Sequence, residues 1–136
     1  MNCFVISILA ADKPFFKGKC ESIVIPTSDG LYGIWANHQN LISDIIPGML
    51  EMRKQNGETV IAAVSEGIIK VEDGNVLVLV DTIELPEEID INRAKRDADR
   101  AKEELLQKRS IRDYYQAQAR MARALNRMKV KNHMFH

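Results

Sequence analysis

Aromatic side chains are scarce in this chain. They make up 6% of its 136 residues, with a single tryptophan, so a core has to be built from Ile, Val and Leu. Long apolar runs are missing too. The longest, such as Val76 to Val80, are strand-sized, far short of the roughly 18–20 residues that cross a bilayer as a helix. Any membrane association is therefore expected to be peripheral. The opening Met1-Asn2-Cys3-Phe4 has neither a basic stretch nor a cleavage site, so no signal peptide is expected and a cytoplasmic location is the default. Cysteine is limited to Cys3 and Cys20, not spaced as a metal or redox motif. Both fall in predicted strands, where a thiol serves as a small apolar side chain, and no disulfide is expected in that compartment.

Net charge is also absent, but the zero conceals an asymmetry. Residues 1–86 hold 6 Lys and Arg against 11 Asp and Glu, whereas residues 87–136 hold 13 against 8. Within 111–131 six basic residues face Asp113 alone. A basic helix attached to an acidic body can fold back on that body or reach an acidic partner, and salt weakens either contact where it is exposed.

What is present divides at about Pro86. Before it, short β-branched runs alternate with glycine turns. Strands are predicted over Phe4 to Leu9, Lys17 to Pro26 and Leu31 to Trp35, with turns at Asp12-Lys13-Pro14 and Ser28-Asp29-Gly30. Asn37 to Pro47 reads as irregular, around the polar cluster His38-Gln39-Asn40. Met49 to Lys54 and Thr59 to Val64 read as a hairpin about Asn56-Gly57, because Asn-Gly supplies the positive φ angles of a tight turn. Gly67 to Val71 and Val76 to Val80 read as a second, about Asp73-Gly74-Asn75. Six or more strands at spacings near ten residues predict an all-β sandwich or flattened barrel for residues 1–86, enough for one modest core.

Residues 87–136 predict an antiparallel two-helix hairpin, so the whole chain is α+β. Glu84 to Glu88 reads as a short acidic linker. Asp90 is placed as a helix N-cap, with Arg93 three residues on, and the first helix runs to about Lys108. Ser110 and Asp113 resemble a capping box for the second. Ala94, Ala98, Ala101 and Leu105 form one stripe, and Tyr114, Ala117, Met121, Ala124 and Met128 another, with Leu125 beside it. Alanine seams allow close approach but bury little, about 0.8 kcal/mol per methyl. Two or more arrangements are therefore expected, one packed and one extended. His133 and His136 are expected in a frayed tail.

Taken in order, these segments resemble the F-type ATP synthase epsilon subunit family. Gly30 to Leu41 is similar to its glycine-leucine-glycine loop with a following histidine. Val64 to Val71 with Asn75 to Asp81 is similar to its central hairpin, and Ile89-Asp90-Ile91-Asn92-Arg93-Ala94 to the start of its helical domain. The chain departs at Trp35-Ala36, where the family usually has leucine-proline, and at Asn40, where proline is common.

The resemblance implies a non-catalytic subunit on the central stalk, peripheral on the cytoplasmic face of the cell membrane, that couples an ion-driven rotor to ATP synthesis. Its partners would be the gamma subunit and the membrane rotor ring of c subunits, met through Leu31, Tyr32 and His38, and the alpha/beta catalytic head, met through Arg112, Arg120, Arg123 and Arg127. The raised hairpin would inhibit hydrolysis. No cofactor is required, but a regulatory ATP is implied at Glu84, Asp90, Arg93, Arg100, Arg123 and Arg127. Arginines on one helix face can make bidentate bonds to a triphosphate, and a carboxylate can accept from adenine or ribose. There is no glycine-rich phosphate loop. The same residues have plainer roles available: Asp90 as a cap, Arg93 paired with Asp90 or Asp97, Arg123 and Arg127 on a solvated face.

Other classes fit less well. A nucleic-acid module could use the basic second helix on phosphates, but the body is acidic, no recognition motif appears, and no nucleic acid partner is expected. Ser65 in Val-Ser-Glu-Gly is no nucleophile elbow, and no His-Asp pair accompanies it, so a hydrolase is remote. His38 has no second histidine or cysteine near it, and no metal site is predicted. Tyr32 and Trp35 read as either core or contact residues, and the polar loop around them favours contact.

Overall fold

The computed structural model describes residues 2–107 and 111–133. Among these, the strands are β1 (Phe4–Ala10), β2 (Pro14–Thr27), β3 (Gly30–Trp35), β4 (Leu41–Ile45), β5 (Gly48–Lys54), β6 (Thr59–Val64), β7 (Gly67–Glu72), β8 (Asn75–Val80) and β9 (Ile83–Glu84). A 3-10 turn over Pro86–Glu88 and two helices, α1 (Ile91–Gln107) and α2 (Ile111–His133), follow. The chain forms two compact units that divide between Glu84 and Leu85.

The first unit is organised by β2, which is long enough to serve two layers. Its first half pairs with β1, and its second half pairs with β3 on one side and β5 on the other. The register shifts between Cys20 and Ser22, and an extra residue of this kind bends a strand and raises its twist. One layer thus runs β4, β7, β8, β1 and early β2. The other runs β3, late β2, β5, β6 and β9. β4 and β9 end the order without meeting, so the unit is an open β-sandwich and not a closed barrel. Between the layers, alternate residues of each strand are buried: Ile6 and Ile8, Ile23 and Ile25, Leu50 and Met52, Ile69 and Val71, Val76 and Val78. Burying each such side chain contributes about 1.5–3 kcal/mol. Cys20 joins this core, while Cys3 is half-buried one residue ahead of β1 and not within a strand.

Local chemistry fixes the turns. Asp73 and Gly74 both take positive φ, 52° and 80°, as a two-residue type I′ hairpin requires, and Asn75 already belongs to β8. Asn56-Gly57 differs from expectation. Only Gly57 has positive φ, 87°, and its amide donates to the Lys54 carbonyl at 2.9 Å while the Lys54 amide donates to Glu58 at 2.8 Å. That is a three-residue loop with a glycine bulge, held by the Asn56 side chain accepting from the Glu58 amide.

Two strands were not expected, β4 and the short β9. β4 pairs with β7 from Leu41↔Val71 to Ile45↔Gly67, inside the segment read as irregular. Its alternation is disguised, because Ile42 is exposed and Ser43 is half-buried.

In the second unit Asp90 caps α1 as expected: its Oδ1 accepts from the Asn92 and Arg93 amides, both at 3.1 Å. The segment read as an acidic linker carries structure, β9 at one end and the 3-10 turn at the other. The two helices pack as a hairpin whose buried residues, among those described, are Ala94, Ala98 and Ala101 on α1 and Ala117, Ala124 and Val130 on α2. Tyr114, expected inside, is exposed, as is Leu125. Val130 takes the inner place near the end of the helix, and His133, expected in a tail, is the last residue of α2. The expected helix end at Lys108, the cap at Ser110 and the residue His136 lie outside the described residues.

Candidate functional site

The second unit carries most of the residues singled out for binding. Asp90 is exposed, and its Oδ1 accepts the two capping amides. The Arg93 amide, then the Asn92 amide and the charges of Arg96 and Arg93, hold its carboxyl below the ordinary value against a smaller opposing effect of desolvation. Arg93 and Arg100 lie exposed on α1, seven residues apart. On α2, Arg112 and Arg120 are exposed, and Arg123 and Arg127 are half-buried.

Two arginines of α2 meet carboxylates of α1. Arg127 Nη1 lies 3.8 Å from Asp97 Oδ2, with 20% of the arginine side chain exposed. Arg120 pairs with Glu104 through Nη2 and Oε2. Asp97 therefore serves Arg127, not Arg93 as one sequence reading had it, and Glu104 was not foreseen. The signal was available: Asp97 and Glu104 are seven apart on one helix, as Arg120 and Arg127 are on the other, which aligns them in an antiparallel pair. Lys131 donates from Nζ to the Pro86 carbonyl at 3.0 Å, tying the last turn of α2 to the 3-10 turn. Glu84, the remaining member of the proposed nucleotide set, belongs to the first unit, in β9 opposite Ala63.

In the first unit, β3 and the loop after it present the other group. Successive side chains of a strand face opposite ways, so Leu31 (75% exposed) and Trp35 (60% exposed) share the outer face. The Trp35 indole lies over Gly33, where a Cβ would come within 2.5 Å of it. Tyr32 faces the other way and meets His38. The His38 Nδ1 lies 2.7 Å from the Gln39 carbonyl, and Nε2 lies 2.9 Å from the Tyr32 hydroxyl. A carbonyl only accepts, so Nδ1 carries a proton, and in the neutral ring Nε2 then accepts from Tyr32. The rings are edge-on at 5.6 Å. The structure thus joins Tyr32 to His38 and sets Leu31 apart with Trp35. Asn37 turns the chain with φ 64°, and Asn40 accepts from the Asp73 amide at 3.0 Å, a tether between loop and hairpin that a proline there could not make. Among the described residues no three His, Cys, Asp or Glu side chains gather as a metal site, and no described helix is long and apolar enough to cross a membrane.

Comparison with known proteins assigns both units. Residues 3–86 match the family described as ATP synthase, Delta/Epsilon chain, beta-sandwich domain, and residues 87–132 match the ATP synthase, Delta/Epsilon chain, long alpha-helix domain. An ATP synthase epsilon chain of Ruminiclostridium cellulolyticum is 39% identical over 132 residues, covering 97% of this chain and 98% of the relative. The chain belongs to the ATP synthase epsilon chain family. A second epsilon chain, from Caldicellulosiruptor bescii, is also 39% identical, over 93% of this chain and 92% of its own length. The epsilon fold recurs at much lower identity. A chain in the Euglena gracilis mitochondrial ATP synthase structure (OSCP/F1/c-ring) aligns at TM-score 0.77 and 21% identity, covering 98% of this chain and 82% of that one. One in the Tetrahymena thermophila central stalk/c-ring structure aligns at 0.61 and 16%, covering 93% and 95%.

Proposed function

We propose that this chain is the epsilon subunit of a bacterial F-type ATP synthase, a non-catalytic part of the central stalk. The observation that carries this reading is the end-to-end match, both units in order, to bacterial ATP synthase epsilon chains. In this reading the sandwich is the coupling unit. Leu31, Tyr32, Trp35 and His38 would contact the rotor ring or the gamma subunit, since exposed aromatic and apolar side chains are suited to a protein partner. The complex would place the subunit peripherally on the cytoplasmic face of the cell membrane.

The hairpin is the regulatory unit. Arg112, Arg120, Arg123 and Arg127 give α2 a basic surface suited to acidic segments of the catalytic head, and ATP is its proposed small ligand. Arg93, Arg100, Arg123 and Arg127 would take the phosphates, with Asp90 for base or sugar. Cutting the chain after Glu88 in the assembled enzyme tests the regulatory half: ATP hydrolysis should rise, and an unchanged rate would remove the inhibitory role while leaving the coupling role in place. Isothermal titration of the full chain with ATP tests the nucleotide, and no heat at millimolar ATP would remove it.

A further inference from the structure

We propose that the hairpin carries its own competitor for the arginines of its second helix. Asp97 and Glu104 of α1 hold Arg127 and Arg120 of α2 in a two-rung ladder, which keeps the hairpin shut until an acidic protein surface takes those arginines. The inference deepens the reading of α2 as a helix that changes partners, and rests on it.

Seven residues are two helical turns, about 10.5 Å of rise. Asp97 and Glu104 are spaced so on α1, and Arg120 and Arg127 on α2. In an antiparallel pair the first acid meets the second arginine, as observed: Asp97 with Arg127, Glu104 with Arg120. Slipping α2 by one turn, about 5.4 Å, would part both rungs together. The seam between the helices supplies little register of its own. It is built from Ala94, Ala98, Ala101, Ala117 and Ala124, whose small side chains interlock weakly.

The rungs are also placed to be released. The Asp97 and Glu104 side chains are both more than a third exposed, and Arg120 is more open still. Exposed pairs of this kind shift an equilibrium by only a few-fold each. That magnitude holds a hairpin shut and still yields to an acidic protein surface. Lys131 on the Pro86 carbonyl adds a third tie at the base of the hairpin, so release of α2 would also free the turn that leads out of the unit.

The test is amide hydrogen exchange on the full-length chain with no ligand present. Replacing Asp97→Asn and Glu104→Gln together should lower protection along α2 by about three- to tenfold and abolish its dependence on salt. Adding charge in the reverse sense, with Asp97→Arg, Glu104→Arg, Arg120→Glu and Arg127→Asp in one chain, should restore protection and its salt dependence. Unchanged protection in the neutral variant overturns the ladder, and so does a reversed variant that stays as open as the neutral one. Because no nucleotide enters this measurement, its failure leaves the ATP reading standing. A silent ATP titration, in turn, leaves the ladder standing.

Discussion

The two cysteines and Asp90 show how strongly place changes the chemistry of one side chain. Cys20 lies wholly inside the sandwich, and burial, with Cys3 nearby, pushes its thiol up to about 12. Thiolate is the reactive form, so Cys20 should resist a thiol reagent at pH 8 while half-buried Cys3 is modified. Counting labelled thiols should give one in the native chain and two after denaturation, and rapid modification of both in the native chain would contradict the packing. Asp90 is shifted the other way, chiefly by the Arg93 amide. A carboxylate with a lowered folded value adds stability that is complete above its unfolded value, about 3.9. That contribution disappears as pH falls through the lowered value. Asp90→Asn keeps an acceptor for the two amides, so it should retain the helix start but remove this part of the acid response. Asp90→Ala should lower helix content and thermal midpoint below both, followed at 222 nm, because asparagine caps nearly as well as aspartate and alanine does not cap.

At the scale of elements, Gly67 decides whether β7 and β8 can pair as they do. A Cβ there would overlap the Leu79 carbonyl and lie 2.7 Å from Val80 Cα, both backbone. Gly67→Ala should cost about 1–3 kcal/mol as overpacking, read from urea unfolding. A loss near zero would mean that the strands can separate without cost. How legible each element was follows from how narrow its chemistry is. Asp73-Gly74 was readable because few residues tolerate two successive positive φ angles. Asn56-Gly57 marked a turn correctly but not its length, since Gly57 alone serves a bulged three-residue loop as well. β4 was missed because the exposed Ile42 and inward Ser43 invert the alternation that reveals a strand, and its place is fixed by β7, distant in sequence. Of the candidate site, Asp90 as cap was visible locally. The partners of Arg120 and Arg127 were not, because they lie on the other helix and appear only when the two seven-residue spacings are compared.

The whole molecule joins two units of very different construction. The sandwich is closed over Ile, Val, Leu and Met side chains contributed by all nine strands. Among the described residues, the hairpin relies on five buried alanines with Val130, and on ion pairs at its flanks. Each large aliphatic side chain contributes two to three times what a buried methyl does, while the conformational entropy lost per residue is similar, about 1–2 kcal/mol. The margin per residue is therefore smaller in the hairpin. In a chain of this kind a single cooperative transition is not expected, and the less stable unit opens at the lower free energy. Helical signal at 222 nm should fall at lower urea than the fluorescence of Trp35, which reports on β3 alone. Added salt should move the first transition to lower urea by weakening the exposed ion pairs, and leave the second little changed by that screening. If both signals trace one midpoint at every salt concentration, the hairpin has no separate stability, and a regulatory helix that leaves its partner while the sandwich stays folded would lose its physical basis.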